Sequence, residues 1–66
     1  MTKYVTWYVK SRQKLDVFIG VDEHEDFKSK KWTDKKGNKC YNFWDVNANH
    51  PRTAVNYTER EVQQWN

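Results

Sequence analysis

Apolar and polar residues alternate in two stretches near the start of the chain. From Tyr4 to Val9, the residues Val5, Trp7 and Val9 fall on one side and Tyr4, Thr6 and Tyr8 on the other. From Leu15 to Val21, the residues Leu15, Val17, Ile19 and Val21 oppose Asp16, Phe18 and Gly20. A period of two with β-branched and aromatic residues predicts strands. A three-residue loop at Ser11, Arg12 and Gln13 would pair Val9 with Leu15, Trp7 with Val17 and Val5 with Ile19. All six then share one face, as a half-buried antiparallel hairpin requires.

A second hairpin is signalled by Asp34-Lys35-Lys36-Gly37. Aspartate favours the first position of a type I turn, and glycine supplies the left-handed residue of the bulge that follows. This register sets Trp32 opposite Cys40 and Lys31 opposite Tyr41. It gathers Trp32, Cys40, Trp44 and Val46 on the inner face and Lys31, Thr33, Lys39, Tyr41 and Phe43 on the outer. The acidic stretch Asp22 to Asp26 reads as the connector between the hairpins, with Phe27 tucked beneath it. Residues 47–57 read as an irregular link, since Asn47, Asn49, His50 and Pro51 are turn formers. Thr58 to Glu61 has the form of a capping box, flanked by Tyr57 and Val62 as a hydrophobic staple, and predicts a short C-terminal helix. Such a helix is marginal alone and would dock through Val62 and Trp65.

These elements predict an α+β fold: one domain over residues 1–66, a small antiparallel sheet of about four strands in two hairpins, and one short C-terminal helix. The expected core is Val5, Trp7, Val9, Leu15, Val17, Ile19, Trp32, Trp44, Val46, Val62 and Trp65. At 66 residues a chain buries only about 60% of its unfolded surface. With a single cysteine, Cys40, no internal disulfide can compensate. Stability then falls to packing of the four Trp, four Tyr and three Phe or to self-association as a homodimer. The lone thiol fits a reducing, cytoplasmic setting. No apolar run approaches the ~20 residues of a membrane span, so no membrane partner is expected.

The net charge is +3, and it is sorted into blocks. Lys3, Lys10, Arg12 and Lys14 precede the acidic stretch Asp22, Glu23, Glu25 and Asp26. Lys28, Lys30, Lys31, Lys35, Lys36 and Lys39 follow it. On the predicted outer face Tyr4, Tyr8, Phe18, Tyr41 and Phe43 would lie beside Lys10, Lys31 and Lys39. Rings that stack on bases and lysines that meet phosphates form a single-strand-binding surface. The eight are therefore the candidate site, for nucleic acid or for a protein partner. The same residues could instead fill both sides of a sheet that closes into a small barrel or dimerises.

No cofactor or metal is expected. The acidic stretch lacks the spacing and the glycine of a calcium loop. Cys40, His24 and His50 match no zinc or nucleophile pattern, and Cys40 reads as a small core residue. Gly20 and Gly37 lie in no phosphate-loop pattern. The expectation is a non-catalytic binding domain. In general style (short, rich in Lys and Asn, heavy in aromatics) the chain resembles the small accessory proteins of phages and mobile elements. That resemblance is carried by no motif. It implies a host protein as the bound or inhibited partner.

Overall fold

The computed structural model describes residues 2–62. They form eight strands: β1 Thr2–Val9, β2 Lys14–Val21, β3 Glu23–His24, β4 Phe27–Lys28, β5 Lys30–Thr33, β6 Lys39–Asp45, β7 His50–Val55 and β8 Thr58–Glu61. No helix occurs among the described residues, so the fold is all-β and not α+β. Six strands make one antiparallel sheet in the order β5-β6-β2-β1-β8, with β7 also paired to β6. β5 pairs with Lys39–Asn42 of β6, and β2 takes the next stretch at Trp44 and Asp45. β7 runs almost directly into β8 through Asn56 and Tyr57, and the sheet curls into a half-barrel. Its concave side holds Val5, Trp7, Phe18, Tyr41, Phe43, Ala54 and Tyr57.

The β1–β2 hairpin forms, but one residue out of the expected register. Its loop has four residues, Lys10 to Gln13. Gln13 donates its backbone N–H to the Val9 carbonyl at 2.8 Å and takes φ 55°. Val9 therefore pairs with Lys14, Val5 with Phe18 and Trp7 with Asp16. The slip turns β2 over. Phe18 moves inward and stacks on Trp7 at a ring distance of 4.4 Å. Gly20 moves inward too, and a Cβ there would collide with the Phe43 ring. Leu15 and Val17 are left outside, 69% and 57% exposed. Two stacked rings and a ring seated on a glycine bury more area than the aliphatic row could. The inward Asp16 sits toward the loop end, where it accepts a hydrogen bond from Arg12.

The β5–β6 hairpin has the expected register, with Lys31 opposite Tyr41 and Trp32 opposite Cys40. Gly37 takes φ 86°, its N–H bonds the Asp34 carbonyl at 3.0 Å, and the Asp34 carboxylate accepts from the N–H groups of Lys36 and Asn38. Cys40 is buried as expected, but the large rings of the two faces are exchanged. Tyr41 and Phe43 are fully buried, and Trp32 and Val46 are exposed. Of the remaining expected core, Val5 and Trp7 are buried; Val9, Ile19, Trp44 and Val62 are half-buried. Trp65 lies outside the described residues.

The two expected connectors and the expected helix start are also ordered as strands. The acidic connector folds as the small β3–β4 flap, with His24 opposite Phe27. Their rings lie 4.3 and 5.6 Å from that of Trp44. The expected link 47–57 contains β7. It is entered by a four-residue loop in which Asn49 (φ 60°) donates to the Asp45 carbonyl at 2.8 Å. The Asp45 carboxylate holds the N–H groups of Asn47 and Ala48. The expected helix start Thr58–Glu61 is strand β8, paired with Thr6 to Lys3. A lone short helix gains little in water. The same residues in a strand satisfy an edge of β1 that would otherwise be bare.

Candidate functional site

The eight residues expected on one aromatic, basic face are dispersed by the true register. Phe18, Tyr41 and Phe43 are core side chains, 7%, 0% and 0% exposed, so no base can stack on them. Tyr4 and Tyr8 stand on the convex face, 38% and 53% exposed. The ammonium groups of Lys31 and Lys39 lie over the rings of Tyr41 and Tyr57 at 4.9 and 5.0 Å. Lys10 belongs to the first loop, close to Tyr8.

The acidic groups of the sheet are largely engaged. Lys3 bridges Asp22 at 3.0 Å and Glu59 at 2.8 Å, and Lys31 reaches Glu59 at 2.7 Å. The Tyr41 hydroxyl donates to Asp22. Burial, together with that contact to a carboxylate, pushes the Tyr41 hydroxyl up to about 12. Asp22 goes the other way. Partial burial would raise it, but hydrogen bonds from Tyr41, Lys3 and Ser29 bring it down to about 2. Burial opposes charge on Lys3 as well, yet contacts with Glu59, Tyr41 and Asp22 hold its ammonium well above the ordinary lysine range. This cluster clamps β8 and β5 to β1 and β2. Asp45, 3% exposed, pairs with Arg52, and Arg52 lies 4.9 Å from the Phe18 ring.

A cleft of about 740 Å³ opens between the end of β1, the β5–β6 turn and β7. Trp7, Tyr8, Lys10, Lys35, Lys36 and Arg52 are among its lining residues. Among the described residues its one lining carboxylate, Asp34, is bound up in its own turn. Among the described residues Lys10, Lys35 and Lys36 take part in no ion pair. The cleft thus offers uncommitted ammonium groups, one half-exposed phenol ring and an apolar floor. That combination suits an anionic ligand carrying flat rings. Lys35 and Lys36 belong to the lysine block that follows the acidic stretch, but they were not among the expected site residues. Nor was Arg52, because its segment carries turn formers and no alternation.

Among the described residues no group of three or more His, Cys, Asp or Glu side chains could hold a metal ion. His24 packs on Trp44, Cys40 is buried, and the His50 ring meets the Pro51 carbonyl. No helix of the described residues is long and apolar enough to cross a membrane. No protein-family model, no curated protein and no solved structure matches the chain.

Proposed function

We propose that the chain is a small non-catalytic binding domain that takes nucleic acid in the cleft between the β1 end, the β5–β6 turn and β7. The observation that carries this reading is the division of charge. Asp16, Asp22, Asp45 and Glu59 are spent on ion pairs within the sheet. Lys10, Lys35 and Lys36 converge unpaired on a cleft edged by Tyr8. Lysines on a phosphate backbone release counterions, and a tyrosine ring stacks on bases without sequence preference. Tyr8, Lys10, Lys35 and Lys36 are the contact residues of this reading. A cytoplasmic setting accords with the one buried free thiol.

The test is a fluorescence titration with single- and double-stranded oligonucleotides at two salt concentrations. Micromolar quenching that weakens steeply with salt is expected. The joint Lys35→Ala, Lys36→Ala variant lowers the salt slope by about one unit for each lysine that meets a phosphate. Tyr8→Ala weakens single-strand binding by about 1–3 kcal/mol. No response to any oligonucleotide at low salt would end this reading. A protein-binding module is the second reading, favoured by a separate observation: the exposed apolar row Tyr4, Leu15 and Val17.

A further inference from the structure

The cleft between the β1 end, the β5–β6 turn and β7 recedes into the protein. Its volume of about 740 Å³ lies in the range of ~300–1,000 Å³ that suits a single small ligand. Double-stranded DNA is read by the opposite shape. A helix or a β-ribbon protrudes into the major groove, and the bases stay stacked inside. A duplex offers this cleft only its phosphates. A single strand offers phosphates and base faces together.

The lining residues divide in the same way. The unpaired lysines come from two separate turns, Lys10 from the β1–β2 loop and Lys35 and Lys36 from the β5–β6 turn. Tyr8 is 53% exposed, and among the described residues its ring packs on no other ring. It presents a free stacking face beside the apolar groups of Val9, Pro51 and Val55. The side chains that read base edges in other proteins, Asn and Arg, are engaged within this one. Asn38 donates its amide to Asp34 and accepts from Asn56, each at 3.0 Å, and Arg52 is paired with Asp45. The groups left over, ammonium ions and a ring, favour no base over another.

Building on the nucleic-acid reading, and resting on it, we infer that the cleft takes single strands in preference to duplex, about three nucleotides at a time and without regard to sequence. One phosphate for each unpaired lysine sets the footprint. Lys10 and the Lys35–Lys36 pair hold the backbone, and a base stacks on Tyr8. A footprint of this size is at or below the low end of the roughly 4–16 nucleotides that small single-strand-binding barrels cover.

A length series tests this. Single strands of about two to twelve nucleotides, and duplexes of matched length, are titrated against the full chain with Trp7 in the cleft wall as the fluorescent reporter. Affinity is expected to level off by about four nucleotides, with a salt slope of about −2 for three phosphate contacts to a single strand. Matched duplexes bind at least about fivefold more weakly for want of a stacked base, and homopolymers of different bases agree within about fivefold. Val55→Glu, at a lining position 39% exposed, puts a carboxylate among the phosphates and weakens single-strand binding at least about tenfold. Val46→Glu, 45% exposed and outside the cleft, adds the same charge and weakens it less than about threefold. Thr53→Glu, also in the lining, takes the place of Val55→Glu should that variant not fold, and circular dichroism reports folding. Equal affinity for duplex, affinity that climbs steeply beyond about four nucleotides, a preference of about tenfold or more for one base, or equal losses from the two valine variants would each overturn the inference. Binding to nucleic acid would itself still stand in those cases. No response to any oligonucleotide at low salt would overturn both.

Discussion

The two long hairpins make an instructive pair. In β5–β6 the turn announces itself: Gly37 sits at φ 86° and Asp34 caps the N–H groups around it. The register follows from those residues. In β1–β2 the equivalent left-handed position is held by Gln13 at φ 55°, a residue with no turn preference. The loop is one residue longer than the apolar alternation suggested, and every side chain of β2 changes face as a result. Turn chemistry sets register where it is visible. Where it is hidden, packing of the large rings decides, here Phe18 on Trp7 and Phe43 on Gly20.

The largest effect is expected at matched aromatic positions on the two faces of the second hairpin. Phe43→Ala should cost about 3–5 kcal/mol, enough to unfold a domain of this size. Trp32→Ala, at a position 39% exposed, should cost under about 1 kcal/mol. The faces expected from the sequence reverse that order. Thermal or urea unfolding followed by circular dichroism reads both.

The two glycines, one in each hairpin, separate next. A Cβ at Gly20 meets the Phe43 ring, whereas a Cβ at Gly37 meets nothing within 4 Å. Gly20→Ala should therefore cost about 2–3 kcal/mol through overpacking. Gly37→Ala should cost only the backbone strain of a positive φ, about 1 kcal/mol. Equal losses at the two sites would contradict the seating of Phe43.

One side-chain link between the hairpins is the Tyr41–Asp22 contact, and it titrates at both extremes. Asp22 is depressed from 3.8 to about 2 in the fold. Its contribution is complete above its unfolded value and is lost as pH falls toward 2. Tyr41 is raised from 10.0 to about 12. Its contribution is complete below 10 and fades as pH rises toward 12. Asp22→Asn should flatten the acid limb of a urea-midpoint profile against pH. Tyr41→Phe should flatten the alkaline limb. Both effects are modest, since the Asp22 side chain is 40% exposed and screened by water.

The smallest expected effect has the opposite sign. Gln13→Gly relieves a left-handed residue and should stabilise the protein by about 0.5 kcal/mol, read as a raised urea midpoint. It would also make the first hairpin's turn as readable as the second's.

Much of the pairing was legible in the residues. Both hairpins, the β5–β6 register and the bulge at Gly37 follow from residue types. The charge blocks were visible as blocks, but of the cleft's unpaired lysines only Lys10 was expected in the site. Local information of this kind says which stretches extend and where an Asp and a Gly force a turn. It does not say which face of each strand is inside. Tyr41 and Phe43 alternate with Cys40 and Trp44, and either row is apolar enough to be buried. Ring packing across strands distant in sequence made that choice. The same holds for Thr58–Glu61, whose capping-box residues serve equally well as a strand. They became β8 because β1 had an open edge and because Glu59 could reach both Lys3 and Lys31. Propensity is a weak local bias, and the satisfaction of a bare sheet edge together with a two-lysine clamp outweighs it.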